Sequence, residues 1–576
     1  MTDEHRLPWQ IVVGKGQLNR RDFVKRSAAL GLALPAVSAL LAACGGDDET
    51  PAPAAEATAT QPITVDQNIT PTAATGPTAA PAPPTTAPAA GPSGGSVTFA
   101  RQVDSENLDP VIQDGNINIW VFMSMYDQLI GVADDGIGLS PRLAESWDIS
   151  DDGTEYTFNL RSGVKFSDGS DMTVEDVKWS LERARDEEAS PWSFTLTQVV
   201  EVTTPDESTV VLTLTEAWAP FLAQIAMFNA SVISKAFAED DTGKLANQVM
   251  GTGPFALQEW TLGQSMVLVK NEHYWEEGLP LLDEINFAVV PDGNSQILQL
   301  QGGEIDGIIG QGDLPLNRVE ELRGDPNLNV ISFISTYNNF MAINVRNAPL
   351  DDVKVRQALN YATDKQALID TVLFGIGELS NSFMPNGALY WNEAQEGYPF
   401  NLERAQELMA ESNSPDGFPL EFMVRAGNQQ QLQIVTSLQQ MWAEIGIEVD
   451  IQQLDSAVVT DRYREFDFEV ILTGWTNDII DPDQLVTYAI IPDTIENYRT
   501  GWVNDRAVEL ANEGRVTLDP DRRREIYHEI QAIHMEDAPF IYLYVLPYVD
   551  ALRSRVKDFH HHPMGQYVLK NTYVEE

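Results

Sequence analysis

Cysteine is nearly absent from this chain, with Cys44 the only one in 576 residues. A single thiol excludes a disulfide scaffold and any Cys-based zinc cluster. Histidine is scarce too, seven in all, which leaves little material for His-rich metal chemistry. Basic residues number 36 against 86 acidic ones, a net of −50. Phosphate contacts need a surplus of Lys and Arg, so nucleic-acid binding is excluded. The uncharged N-terminal stretch Ala28 to Ala43 holds 16 residues, Pro35 among them, whereas a membrane span needs ~20. What is present is length and apolar content, 43% of the residues. At ~100–200 residues per domain that is about three to five domain-sized units, or one large core built from several chain passes. Such a chain buries a sizeable core without disulfides or metals.

Residues 20–44 read RRDFVKRSAALGLALPAVSALLAAC. A charged start followed by a modest apolar stretch reads as a signal sequence. The pattern N-R-R-D-F-V-K resembles a twin-arginine export signal, with Asn19 where Ser or Thr is usual. Leu41-Ala42-Ala43-Cys44 resembles a lipobox, which implies lipidation of Cys44 and a mature N-terminus there. The other reading is an apolar N-terminal helix of a cytosolic protein with a chance cysteine. The segment from Pro51 to Gly95 has 13 Ala, 10 Pro, 9 Thr and 4 Gly, with Glu56 and Asp66 its only charges. It has too few large apolar groups to offset its ordering entropy. Proline makes it a partly extended spacer with a reach on the order of 100 Å, as a tether from a lipid anchor requires.

The folded body is expected from Ser96. It holds 30 basic and 78 acidic residues, a net of 30 − 78 = −48. Two readings stand: a solvated acidic surface, or a preference for cationic ligands. Net charge speaks to solubility and steering and does not choose between them.

The body reads as α/β. Thr154 to Lys165 alternates with Tyr156, Phe158 and Leu160 on one face, the period of a half-buried strand. The run D-x-S-x-D-G from Asp148 starts like a calcium loop, but its twelfth position is Asn159 where Glu is needed, so it reads as a hairpin turn. Thr173-Val174-Glu175-Asp176 is a capping box opening a helix through Arg185. Val210–Thr215 is a strand. Asp351 or Asp352 caps one helix and Asp364 the next. From Leu420 the pattern gives a strand through Val424, a helix over Gln431–Ile445 stopped by Gly446, and a strand with Ile447, Val449 and Ile451. This β-α-β unit demands parallel strands. A third strand, Phe468–Leu472, ends in Thr473-Gly474-Trp475-Thr476-Asn477-Asp478. Ligands of open α/β sheets sit beyond the carboxyl ends of strands, where Trp475 and Asp478 fall.

Catalytic constellations are missing. The chain has no G-x-S-x-G, no G-x-x-x-x-G-K-[ST] and no H-E-x-x-H. His528 and His534 are six apart, which misses the spacing of a helical zinc pair. Gly251–Phe255 reads as a tight turn, since no lysine follows to reach a phosphate. His560-His561-His562 reads as a polar loop rather than a metal site, because adjacent residues point in different directions. No cofactor and no metal are expected.

Several segments taken together resemble one family, the large substrate-binding lipoproteins of ABC importers for peptides and nickel, solute-binding family 5. They are Leu143–Trp147, Lys165–Gly169, Glu175-Asp176-Val177, Gly251–Phe255, Tyr274-Trp275, Gly303–Asp306, Asp351–Leu359, Gly474–Asp483 and Ala538-Pro539. Their order spans essentially all of residues 96–576. The resemblance implies an α/β, two-lobed periplasmic-binding-protein (type II, Venus-flytrap) fold with an additional inserted domain. Carried over, residues 96–125, 248–335 and 546–576 form lobe I, 126–247 the inserted domain and 336–545 lobe II. It also implies a monomer that closes on its ligand and is then recognised by the membrane permease.

In peptide-binding members an aspartate of the Gly-Trp-x-x-Asp segment pairs with the ligand's α-ammonium. That carries over to Asp478, with Trp475 and Asn477 beside it; the alternative for Asp478 is a loop-capping role. Strand addition by a peptide implies partners near Gln102–Glu106, hence Gln102 and Glu106, and near Tyr337–Phe340, hence Tyr337 and Asn339. Arg425 is placed either against a ligand carboxylate or on the surface. The body lacks the cysteine pair that some members carry in the second lobe. The functions implied are a receptor for a peptide-like solute, or the same fold holding an oligosaccharide, nickel complex or other small solute. An extracytoplasmic hydrolase is a third reading, different in class and the weakest, since no zinc or serine constellation supports it. A sensor role stays open.

Overall fold

The computed structural model describes residues 93–575 except 134–135, 311 and 493–497. Cys44, the signal-like segment and the tether up to residue 92 lie outside the described residues. Alternation and capping account for the local structure. The strand Glu155–Leu160 buries Tyr156, Phe158 and Leu160 as its period-2 pattern predicts. Thr173 and Asp176 form the reciprocal capping box of the helix Val174–Asp186, whose Val177, Leu181 and Ala184 are buried. Asp352, Asp364 and Asn428 cap the helices Val353–Tyr361, Lys365–Val372 and Gln429–Ala443 through side-chain bonds to backbone N–H groups.

These elements assemble around three main sheets. The first has seven strands in the order Leu328–Phe333, Tyr548–Arg553, Gly307–Ile308, Ser96–Arg101, Glu284–Val289, Ser265–Lys270 and Phe255–Thr261. The second has six: Glu378–Leu379, Phe540–Val545, Asn338–Ile343, Val470–Trp475, Phe418–Arg425 and Ile447–Leu454. The third is a four-stranded antiparallel sheet, Ala144–Ile149, Glu155–Leu160, Thr209–Leu214 and Val199–Asp206, packed on the helix Val174–Asp186.

The β-α-β reading of the second sheet holds: Phe418–Arg425 pairs in parallel with Ile447–Leu454 in register from Phe418 to Arg425, and with Val470–Trp475. The strand Asn338–Ile343 is buried at every position, as is Phe540–Val545, because helices cover both faces of this sheet.

The chain passes from the first sheet to the second between Phe333 and Asn338, and returns between Val545 and Tyr548. The two crossings run side by side. Phe333 pairs with Tyr548 on one side and Asn338 with Val545 on the other, and Leu546 N–H donates to the Tyr337 carbonyl at 3.1 Å between them.

Three expectations are corrected. The strand before Asp478 runs Val470–Trp475 rather than ending at Leu472, because Thr473, Gly474 and Trp475 pair with Phe340, Asn339 and Asn338. Gly251–Phe255 does not close a turn on itself: Gly253 N–H donates to the Met125 carbonyl (3.1 Å) and Phe255 N–H to that of Ser124 (2.8 Å). The three histidines are no polar loop. His560–His561 form a short strand against Tyr567–Val568; His561 Nδ1 lies 2.8 Å from Asp550 and its Nε2 2.9 Å from the Gly565 carbonyl, while His562 Nε2 lies 2.9 Å from the Ala133 carbonyl. Backbone and carboxylate oxygens occupy these His561 and His562 nitrogens inside the core, while His560 is half-buried and its Nε2 has no hydrogen-bond partner among the described residues.

Candidate functional site

The second sheet positions the site. Its parallel strands Phe418–Arg425 and Val470–Trp475 end on the same edge, and the antiparallel strand Asn338–Ile343 begins there. That edge holds a cavity of about 270 Å³ lined by Tyr337, Asn339, Arg425, Gln431, Gly474 and Tyr544, among others. Gly474 is a close approach: a Cβ there would lie 2.9 Å from the Tyr337 ring and 3.0 Å from the Asn338 carbonyl. Arg425 has no carboxylate partner among the described residues, and burial pulls its guanidinium below the usual arginine range.

Beyond Trp475 the chain leaves the sheet, carries Asn477 and Asp478, and enters the helix Asp483–Ile490. Asp478 is only 7% exposed. Gln484, in the first turn of that helix, grips it three ways: Gln484 Nε2 donates to the Asp478 carboxylate (2.9 Å), and the N–H groups of Asp478 and Ile479 donate to Gln484 Oε1 at 3.0 and 3.1 Å. Among the described residues no Lys, Arg or His pairs with this carboxylate. Burial pushes it up to about 7; the Gln484 bond opposes the shift and the Asp114 carboxylate adds to it. Asn477 N–H donates to Thr336 Oγ1 at 3.0 Å, while Asn477 Oδ1 is buried without a partner. Trp475 packs edge-on against Tyr488 (4.9 Å) and Tyr498 (6.2 Å), and its Nε1 is buried and unpartnered.

The loop sits where the lobes meet. Ile479 belongs to the core that contains Val97, Phe99 and Phe287 of the first sheet, and Ile480 packs on the core of the four-stranded sheet.

The structure thus brings Tyr337, Asn339 and Arg425 into one cavity and sets Trp475, Asn477 and Asp478 at the end of the adjoining strand. It places Gln102 and Glu106 elsewhere. Gln102 N–H donates to the Asp313 carboxylate (2.6 Å) and its Nε2 to the Asp313 carbonyl (3.0 Å), so it pins the segment after Ile309. Glu106 N–H donates to Asn118 Oδ1 (2.7 Å) and its side chain is exposed. Neither lines the cavity. The sequence reading missed Gln484, Thr336, Tyr488, Tyr498 and Asp114. Gln484 was findable as a residue in the first turn of the helix after Asp478; Thr336, Tyr498 and Asp114 carry no local signal.

A two-lobed α/β molecule with paired crossings, and with unpartnered polar groups where the lobes meet, defines a protein that binds solute in a cleft. The model for bacterial extracellular solute-binding proteins, family 5 Middle, matches residues 138–494. The probable D,D-dipeptide-binding periplasmic protein of Escherichia coli is 29% identical over 484 residues, 82% of this chain and 92% of that one. Heme-binding protein A of Haemophilus influenzae is 30% identical, over 77% of this chain and 85% of its own. The solved ABC transporter-associated periplasmic binding protein of Helicobacter pylori, in complex with the peptide STSA, matches with a TM-score of 0.74 at 26% identity, covering 84% of this chain and 99% of that one. This chain belongs to family 5 of the bacterial extracellular solute-binding proteins.

Proposed function

We propose that the protein captures a peptide or peptide-like solute between its two lobes and delivers it to the permease of an ABC importer. The observation that carries this is Asp478, a buried carboxylate with no cation beside it among the described residues. A buried unpaired charge is costly, so the site is complementary to a ligand ammonium that supplies the missing partner. Asn477 Oδ1 awaits a donor and Trp475 Nε1 an acceptor, and Arg425 in the neighbouring cavity lacks a carboxylate. Tyr337 and Asn339 complete the set. This pattern of both signs suits a zwitterion.

Two of the three named relatives fit, a probable D,D-dipeptide-binding protein and one solved with a peptide, while the third is named for heme. A stacked-sugar reading loses support because the rings around Trp475 meet one another edge-on, and Tyr488 and Tyr498 are buried.

In this reading residues 96–125, 248–335 and 546–576 form lobe I, 126–247 an inserted domain and 336–545 lobe II. The body works as a monomer. Export by the twin-arginine-like signal and lipidation at Cys44 hold it outside the cytoplasm, with residues 45–95 as the tether. The test is native mass spectrometry of the full chain purified without denaturation, followed by release of what co-purifies. Released short peptides are the expected result; a porphyrin, sugar or metal complex on the purified chain overturns the peptide reading.

A further inference from the structure

A helix leaves its last four carbonyls without intrahelical partners, and each needs a donor. In the helix Asp505–Val516 the Glu513 carbonyl takes Thr517 N–H (3.1 Å) and the Gly514 carbonyl takes Arg523 Nε (3.0 Å). The Arg515 carbonyl is satisfied from outside the lobe: Ala219 N–H donates to it at 2.7 Å. Ala219 follows the four-stranded sheet, so this bond joins the inserted domain to the second lobe. The neighbouring atoms agree. The Arg515 guanidinium lies 5.6 Å from the Trp218 ring centroid. Leu518, two residues past the helix, reaches into the hairpin turn at Gly153, where a Cβ would lie 2.7 Å from Leu518 Cδ1. Gly153 has φ +70°, a conformation that glycine adopts without strain, and its bare Cα makes the room.

The other side of Arg515 faces the ligand loop. Its Nε donates to Asp483 at 2.6 Å and its Nη2 to the Thr487 hydroxyl. Asp483 opens the helix Asp483–Ile490, and the next residue, Gln484, is the one that holds Asp478. One side chain therefore links an inter-domain contact to the anchor of the proposed ligand carboxylate.

We propose that Arg515 is a positioning residue, a latch that engages Trp218 and Ala219 when the lobes come together and thereby fixes the loop carrying Asp478. The proposal rests on the two-lobe reading but not on the identity of the solute. Its contacts with Trp218, through the guanidinium, and with Ala219, through the backbone carbonyl, are made only while the inserted domain and second lobe touch, so they bias the closed form over the open one.

The test uses the full chain without added solute, as wild type and as Arg515→Ala, Arg515→Lys and Leu518→Asp. Backbone hydrogen exchange is followed at residues 217–219 and 476–485, and the radius of gyration by X-ray scattering. The latch predicts that Arg515→Ala raises exchange in both segments by about fivefold and enlarges the molecule. Arg515→Lys, which keeps a cation over the ring and beside Asp483, stays near wild type. Leu518→Asp places a charge in the contact without touching Arg515, and it gives the same opening if Arg515→Ala fails to fold. Exchange that rises at 217–219 alone, or in neither segment, with unchanged size overturns the latch. These readouts need no ligand, so the latch and the peptide reading fail separately.

Discussion

Asp478 is a carboxylate held where water is scarce, and its proton economy sets how it binds. Its carboxyl is raised by burial from the ordinary 3.8 to about 7. Below pH ~4 the folded and unfolded chains both carry the proton. Between there and 7 the unfolded chain has lost it while the folded chain keeps it, so this group's contribution to stability falls as pH rises, and above 7 the full cost of a buried anion stands. A ligand ammonium requires the anion. Affinity for the co-purified solute is therefore expected to climb by up to about tenfold per unit from pH 5 to 7, and to fall above ~8 as an α-amine loses its own proton. Titration calorimetry across that range checks it; a flat profile contradicts the pairing. Asp478→Asn keeps the size and the bond to Gln484 but not the charge. It should weaken binding by about 1.5–3 kcal/mol, remove the acid limb of the profile, and leave the ligand-free chain more stable at pH 8. Unchanged affinity in that variant would show that Asp478 only caps its loop.

The edge of the second sheet turns those residues into a site, because strand pairing sets their spacing. Gly474 stands opposite Asn339, between the Tyr337 ring and the Asn338 carbonyl. Gly474→Ala puts a methyl about where these atoms already are, and the carbonyl is backbone that does not swing aside. The expected cost is about 1–3 kcal/mol of stability, with Tyr337 displaced and solute affinity lowered. Thermal unfolding and titration calorimetry of the variant measure both, and a wild-type melting curve contradicts the close packing. This edge also shows what was legible in the sequence. Period and caps marked the strand Phe418–Arg425 and the helix after it, and the Gly-Trp-x-x-Asp segment marked Asp478. The end of the strand Val470–Trp475 was misplaced because Thr473-Gly474-Trp475 looks like a loop until its partner is known. Thr336 and Tyr498 are brought to Asn477 and Trp475 by tertiary pairing across 141 and 23 residues of chain, respectively, and no local pattern encodes that. Gln102 looked available for the opposite reason: its bonds to Asp313 are made over a separation of 211 residues.

At the scale of the whole molecule, paired crossings confine lobe motion to a few residues. Both crossings are anchored in the two sheets by the Phe333–Tyr548 and Asn338–Val545 pairs, which leaves the short segments between them to absorb any change in φ and ψ. A body so built can open and shut without unfolding, as the proposed delivery of solute to a permease requires. Its net charge of 30 − 78 = −48 over residues 96–576 disfavours contact with an anionic lipid surface. In the lipoprotein reading proposed above, the task of residues 45–95 would be to keep the body near the membrane while leaving it free to turn. The same reading puts a covalent lipid anchor on Cys44, the one thiol in the chain. Cys44→Ser is expected to move the protein from the membrane fraction to the soluble fraction of lysed cells, with solute affinity unchanged because the site lies more than 290 residues away in sequence. Fractionation followed by calorimetry on the released chain tests both halves. A variant that stays with the membrane shows that something other than the thiol holds it there.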